Sequence, residues 1–180
     1  MNMSFRVTSL AVALTVAGTP FLLSAQPNSP ACLAVLHAAN KMYTTPNHQF
    51  MSKVDALSGG TARKMESITT GGTYYVMASG RWVKGPVPSS PMEEMLKENP
   101  QSKVVCREVR SESVNGAAAT VYTVHNQTEY GIVDAQYWIA HAGGLILRSE
   151  TDIDVGVKNG KSHTSMRAEY TNVQAPKLGK

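Results

Sequence analysis

The hydrophobic positions of the chain follow a helical period before residue 45 and a strand period after it. Between residues 29 and 44, apolar side chains recur at helical spacing, at Cys32, Val35, Leu36, Ala39 and Tyr43. Ser29 is a favourable N-cap, and Pro30 suits the first helical position. This pattern predicts a helix that begins at Ser29 and Pro30 and ends before the Thr44-Thr45-Pro46 run.

From Gln49 onward the chain consists of short runs rich in Thr, Val and Tyr, separated by the turn residues Gly, Asn and Ser. We predict strands at residues 49–57, 61–70, 73–79, 81–84, 103–113, 117–126, 130–140, 145–155 and 162–173. Ser90-Pro91-Met92-Glu93 forms a capping box that is stopped by Asn99-Pro100, which predicts a short helix inserted into the sheet. The sequence therefore predicts an α+β fold, with a curved antiparallel sheet, one N-terminal helix and a short inserted helix.

The Asn115-Gly116 pair lies between residues with high strand propensity and predicts a two-residue hairpin loop. Such a loop pairs Val114 with Ala117. If the same ladder continues without interruption, Cys106 lies opposite His125.

Asn159-Gly160 predicts a second hairpin, in which Lys158 pairs with Lys161. In that register one face of the hairpin is charged, with Arg148, Glu150, Asp152 and Asp154 beside His163, Arg167 and Glu169. We interpret this stripe as a solvated outer face, with a binding surface as the alternative. The opposite face is predicted to be core or the lining of a cavity, and it carries Leu145, Leu147, Ile153 and Val155 against Met166, Ala168 and Tyr170.

The first 25 residues have the pattern of a secretory signal peptide. Arg6 is their only charged residue, residues 7–25 are uncharged, and the run ends at Ser24-Ala25-Gln26-Pro27, which resembles a signal peptidase site. An N-terminal membrane anchor is the alternative interpretation. We expect residues 1–25 to be removed during secretion through the inner membrane, and residues 26–180 to form a single domain in the periplasm.

Export gives the two cysteines an oxidising environment, in which paired thiols persist. We therefore predict a disulfide between Cys32 and Cys106, with free buried thiols or a lipidated Cys32 as alternatives. The chain carries 17 Lys and Arg against 13 Asp and Glu, but the basic residues are scattered. A nucleic-acid partner is not predicted, because it would require a basic patch or stripe.

No catalytic or metal-binding motif is recognisable in the sequence. The five histidines lack the spacing of metal ligands, and there is no nucleophile elbow, phosphate-binding loop or dinucleotide fingerprint. A nucleophilic pair of Cys106 and His125 is disfavoured, because the cysteine is expected to be in the disulfide. We expect no enzyme activity, no metal and no cofactor.

The aromatic and methionine content of the predicted sheet suggests an apolar ligand groove. Two helices would cover a sheet of this size poorly, and flexible methionines suit varied apolar ligands. The residues that we expect to line a groove are Trp82, Trp138, Tyr122, Leu145, Leu147, Met166 and Tyr170. The same residues would also fill an ordinary core, and the sequence leaves both interpretations open.

The order of elements resembles the LolA/LolB and LppX superfamily. The resemblance rests on Gly80-Arg81-Trp82-Val83-Lys84-Gly85-Pro86, Gln136-Tyr137-Trp138-Ile139, Gly144-Leu145-Ile146-Leu147-Arg148 and Tyr170-Thr171-Asn172-Val173-Gln174-Ala175-Pro176. It implies an incomplete β-barrel around a helix, in exported bacterial proteins that hold lipids or lipoprotein acyl chains. The candidate for an acyl-binding arginine is Arg81, because it lies beside Trp82.

These observations predict a periplasmic binding protein whose partner is a lipid, an acyl chain or a lipoprotein. The alternative is a regulatory module that contacts another envelope protein and holds no lipid. Both predictions depend on whether the sheet leaves an apolar groove open.

Overall fold

The computed structural model describes residues 29–55, 59–88, 103–157 and 160–178. The predicted signal peptide and the predicted inserted helix lie outside these residues. The described elements are one helix, α1 (Pro30–Thr44), and the strands β1 (Asn47–Asp55), β2 (Arg63–Thr70), β3 (Thr73–Ala78), β4 (Arg81–Gly85), β5 (Lys103–Val114), β6 (Ala117–Thr128), β7 (Gly131–Ala140), β8 (Ile146–Asp154) and β9 (Lys161–Glu169). The predicted helix and strands are therefore confirmed, with shifts of a few residues at their ends.

The strands form one antiparallel sheet in the order β4-β3-β2-β1-β9-β8-β7-β6-β5. Neighbouring strands are consecutive in the chain except for β1 and β9, whose pairing brings the two ends of the strand series together at the centre of the sheet. Within the described residues, β4 and β5 are edges that do not pair with each other, so the sheet is curved but not closed. This confirms the predicted fold class.

Helix α1 packs on β5 to β8 and defines what we call the helix face of the sheet. Ser29 caps the helix by accepting a hydrogen bond from the backbone N–H of Cys32 at 3.2 Å, and Pro30 occupies the first turn. The buried core between helix and sheet comprises Cys32, Val35, Ala38, Ala39 and Met42 from α1 and Val104, Cys106, Val124, Ala135, Ile139, Ile146, Met166 and Ala168 from the sheet. We call the opposite side of the sheet the far face.

A disulfide between Cys32 and Cys106 ties the first turn of α1 to the edge strand β5. The Cα atoms are 5.1 Å apart, and the cysteines are only 1% and 8% exposed. The predicted pairing is therefore confirmed, and its burial within the core protects it from reductant in solution.

The C-terminal end of α1 is held by one contact with a distant loop and by a side chain that follows shortly after the helix. Lys41 lies in the last turn, where a positive charge is favourable, and its Nζ donates to the backbone oxygen of Gly143 at 2.7 Å. The buried amide of Asn47 donates to the backbone oxygens of Met42 and Thr45. The bonds from Asn47 satisfy carbonyls that the helix itself leaves unpaired, and the bond from Lys41 ties the helix to the loop before β8.

The β5–β6 hairpin has the predicted turn, but a bulge changes its register further along. Val114 pairs with Ala117 across the Asn115-Gly116 loop, as predicted. A bulge between Glu108 and Arg110 then inserts one extra residue, so Cys106 lies opposite Val124 and the predicted pairing with His125 is wrong.

This bulge also changes which side chains of β5 reach each face. Cys106 belongs to the core on the helix face, yet Glu112, six positions later, accepts a hydrogen bond from Trp138 on the far face. In an uninterrupted strand two even-numbered residues would share one face. The bulge thus allows β5 to hold the disulfide on one side and to support a tryptophan on the other.

A second bulge, in β8, corrects the predicted core of the β8–β9 hairpin. Ile139 pairs with Ile146 and Trp138 pairs with Arg148, so Leu147 is the extra residue. Ile146 is fully buried in the core on the helix face, whereas Leu147 packs with Trp138 on the far face. The prediction that Leu147 lies on the core side was wrong, because the alternation of faces breaks at this bulge.

The β8–β9 register differs from the prediction, although its faces do not. Lys161 pairs with Asp154, not with Lys158, so the connection is longer than two residues. Relative to the predicted pairing, β8 and β9 are displaced along each other by an even number of positions. Because side chains alternate between faces, this displacement by itself moves no side chain to the other face. Val155, predicted to face the core, precedes the β9 strand in this longer connection and is 44% exposed.

Candidate ligand-binding site

A cavity of about 710 Å³ opens on the far face and spans most of the width of the sheet. Its lining includes Met77 of β3 at one side and Val114 and Asn115 of the β5–β6 turn at the other. In a flat sheet these elements would be about 30 Å apart, given roughly 4.8 Å between neighbouring strands. The sheet therefore curls toward the far face, and the curl encloses the cavity.

The floor of the cavity combines apolar and charged side chains. Phe50, Met77 and Val114 present apolar side chains on the far face, beside charged groups of β1, β2, β8 and β9, whereas the neighbouring residues Met51, Met65 and Met166 lie on the helix-face side of their strands. Thioether side chains adapt their shape to different apolar surfaces, so this lining suits an apolar chain more than a rigid polar ligand.

Two arginines stand side by side at this cavity. Arg148 of β8 and Arg167 of β9 are direct cross-strand partners, and both line the cavity. The Arg148 guanidinium lies 4.6 Å from the centre of the Trp138 ring, and the Arg167 guanidinium lies 3.9 Å from the centre of the Phe50 ring. These cation–π contacts restrict the positions of both guanidinium groups.

Each of these arginines also contacts a carboxylate two residues further along its own strand. Arg148 donates from Nε and Nη2 to Glu150, at 3.0 and 2.8 Å, and Arg167 donates from Nη1 to Glu169. The carboxylates partly offset the repulsion between two adjacent positive charges.

A small apolar cluster supports the stacked tryptophan. Trp138 is 5% exposed and packs on Ala119 and Val121, with Val114 and Leu147 beside them. Its Nε1 donates to Glu112 at 3.0 Å, which fixes the ring orientation. The indole is therefore a rigid support for Arg148 at the edge of the cavity.

The structure places the seven predicted groove residues in three locations. Tyr122, Met166 and Tyr170 belong to the core on the helix face, and the Tyr170 hydroxyl donates to the backbone oxygen of Ile146 at 2.7 Å. Trp82, Trp138 and Leu147 lie on the far face, while Leu145 lies in the connection before β8. Of the seven, Met166 also lines the 710 Å³ cavity.

Burial raises the pKa of Tyr170 and of Tyr137 above the ordinary value of 10.0. Burial is also the first cause of the raised pKa of Tyr122, followed by the nearby Glu108 carboxylate. These phenols stay protonated at neutral pH, so they act as structural hydrogen-bonding and packing groups.

The charged stripe predicted on the β8–β9 hairpin does share one face, the far face, and it continues across β6 and β7. His125 contacts Asp134 at 2.7 Å, and His163 contacts Asp152 at 2.8 Å and Glu150 at 3.0 Å. Asp134 and Asp152 line two smaller cavities, of about 440 and 590 Å³. The hydrogen bond to Asp152 is the main cause of a raised pKa at His163.

These histidine–carboxylate contacts do not form a metal centre. Among the residues that the structure describes, no group of three or more His, Cys, Asp and Glu side chains is arranged to hold a metal ion. In the same part of the chain, no helix has the length and apolar character that a membrane crossing requires.

Sequence reasoning did not connect Phe50 with Arg167, which form the most closely stacked pair at the cavity. These residues are far apart in sequence and meet only because β1 pairs with β9. No local turn signal sets that pairing. The arginines themselves were visible in the charged stripe, but their stacking partners were not.

Comparison with known proteins gives similarities in structure alone. No protein-family model matches the sequence, and no curated protein matches it significantly. The fold is similar to that of the Mycobacterium tuberculosis lipoprotein LppX, with 16% identity, coverage of 81% of this chain and 100% of that chain, and a TM-score of 0.41. It is also similar to LprF from Mycobacterium bovis, with 12% identity, coverage of 84% and 99%, and a TM-score of 0.42.

Proposed function

We propose that this protein is a periplasmic binding protein that holds a lipid or acyl chain in the far-face cavity and performs no chemistry on it. The observation that carries the proposal is the 710 Å³ cavity on the far face, with the apolar side chains of Phe50, Met77 and Val114 in its lining. Ligand sites typically occupy roughly 300–1,000 Å³ and combine a mostly apolar lining with a few polar groups. The far-face cavity has both properties.

Burial of apolar surface provides the driving force for such binding. Each 100 Å² of apolar surface removed from water contributes about 2.5 kcal/mol. A single acyl chain that follows the floor from Met77 to Val114 would gain in proportion to the apolar surface that it covers there. This gain can exceed the cost of association without any elaborate polar recognition.

The disulfide supports export, because bridges of this kind persist in oxidising compartments. We propose that residues 1–25 direct the chain through the inner membrane and that residues 26–180 act in the periplasm as one domain. In this proposal the ligand reaches the cavity from the open far face, away from α1.

The first test is to purify the protein from the periplasm, extract it with organic solvent and identify bound lipid by mass spectrometry. We expect a lipid in a fixed ratio to protein. A matched pair of variants locates it: Ser165→Trp places an indole in the cavity lining, whereas Ser113→Trp places one on the exposed edge strand β5.

We expect Ser165→Trp to lose the co-purified lipid and Ser113→Trp to retain it. Equal lipid in both variants would refute the far-face cavity as the site. Absence of lipid from the unmodified protein, together with failure to bind added lipid, would refute the carrier function. That result would favour the alternative, an envelope interaction module without bound lipid.

A further inference from the structure

The adjacent arginines are the least expected feature of the far face. Like charges directly opposite each other on neighbouring strands destabilise a sheet. Arg148 and Arg167 occupy such positions, and each is also held in place by an aromatic ring and a carboxylate. Two neighbouring cationic groups at one cavity, each held by an aromatic ring and a carboxylate, form an arrangement to which a negatively charged ligand could bind.

We propose that Arg148 and Arg167 bind the carboxylate of a long-chain fatty acid, whose hydrocarbon chain lies along the apolar floor of the cavity. This inference rests on the proposed function and specifies the class of lipid. The carboxylate lies between the two guanidinium groups, and the chain extends past Phe50 toward Met77.

The hydrogen-bonding groups around the cavity favour an anion over a cation. Both cavity carboxylates already have partners, since Glu66 contacts His48 at 2.6 Å and Glu150 contacts Arg148 and His163. A cationic head group would have to compete with these bonds.

The two guanidinium groups, in contrast, have N–H donors that these carboxylates do not use. Arg148 uses Nε and Nη2 on Glu150, and Arg167 uses Nη1 on Glu169. Within the described residues, Nη1 of Arg148 and Nη2 of Arg167 have no hydrogen-bond partner. A planar guanidinium matches a carboxylate in geometry, so one carboxylate can accept hydrogen bonds from both arginines.

The size of the site favours one chain. A cavity of about 710 Å³ lies within the range of sites for small ligands and accommodates a single hydrocarbon chain more readily than a lipid with two or three chains. Lys64 also lines the cavity and adds a third positive charge, which strengthens the attraction for an anionic amphiphile.

The test compares two amphiphiles with the same chain, dodecanoate and monododecanoylglycerol, on protein stripped of lipid. Isothermal titration calorimetry measures both affinities for the unmodified protein, Arg148→Gln, Arg167→Gln and the control Arg81→Gln. Arg81 is an exposed arginine of β4 that does not line the cavity, and it is the arginine singled out by sequence alone.

We expect each cavity substitution to weaken dodecanoate binding about tenfold, because a hydrogen bond to a charged group contributes about 1.5 kcal/mol or more. Monododecanoylglycerol binding should stay the same in all variants, and Arg81→Gln should bind both ligands as the unmodified protein does. Retained binding of the neutral ligand also shows that the variants are folded.

A second measurement uses the unmodified protein and requires no substitution. Nuclear magnetic resonance of dodecanoate labelled at its carboxyl carbon should show a lower pKa for the bound than for the free acid, because two guanidinium groups stabilise the carboxylate. A bound carboxyl with an unchanged or raised pKa would overturn the inference.

The possible outcomes separate the inference from the function on which it rests. Equal binding of both amphiphiles, unaffected by Arg148→Gln and Arg167→Gln, overturns the arginine site but leaves an acyl-binding cavity. Failure of both amphiphiles to bind the unmodified protein overturns the proposed function and the inference together.

Discussion

Removal of the Cys32–Cys106 disulfide tests how the helix is held on the sheet. The bridge closes a loop with a sequence separation of 74 residues, for which the chain-entropy model gives about 4.5 kcal/mol. Domains of this size are typically stable by about 5–15 kcal/mol, so loss of the bridge removes a large share of the total. The reduced protein should remain folded but be marginally stable.

The assay is urea denaturation of oxidised and reduced protein, followed by tryptophan fluorescence and far-ultraviolet circular dichroism. With a slope of about 2 kcal/mol per molar urea, the midpoint should fall by about 2 M on reduction. Because both cysteines are buried, reduction has to be carried out on unfolded protein before refolding in reductant.

The double variant Cys32→Ala/Cys106→Ala is the control, since its midpoint should be low and should not respond to reductant. Equal midpoints for oxidised and reduced protein would refute the reasoning about loop entropy. Alkylation of both thiols in unfolded, unreduced protein, detected as added mass, would show that the bridge does not form.

Three further experiments test local features of the fold. Gly131→Ala should destabilise the protein more than Gly116→Ala. A Cβ at residue 131 would lie 2.4 Å from a backbone oxygen of β8, whereas no atom lies within 4 Å of a Cβ at residue 116. The difference between the urea midpoints of the two variants measures this effect. Ile146→Ala should cost about 2–5 kcal/mol in the same assay, since the side chain is fully buried, and a loss below about 1 kcal/mol would contradict the β8 register. Asp152→Asn should lower the pKa of His163 in a nuclear magnetic resonance titration. Because that pKa is raised above 6.5 in the unmodified protein, protonated His163 stabilises the fold below about pH 6.5, and this stabilisation is lost as the pH rises through the raised value. An unchanged His163 pKa in the Asp152→Asn variant would contradict the contact.

Local signals in the sequence were sufficient to predict the secondary structure. The Ser29 cap and Pro30 determine the start of α1, and the Asn115-Gly116 turn determines the tip of the β5–β6 hairpin, because these residues act through their own backbone geometry. The disulfide was also predictable, since the chain contains only two cysteines.

The candidate site was less accessible to sequence reasoning. The charged positions on the far face follow from strand alternation and were predicted as a group. Only the pairing of β1 with β9 brings Phe50 beside Arg167, and a contact between such distant segments has no local signature.

The sequence by itself determined the elements, their order and the approximate face of each side chain in uninterrupted strands. Only the tertiary structure decided the two bulges, which place Cys106 opposite Val124 and move Leu147 to the side of Trp138. One inserted residue reverses the alternation of every position beyond it, and packing on both faces of the sheet decides where that residue goes. The far-face cavity has the same origin, because it exists only once the sheet curls and brings the β5–β6 turn near β3.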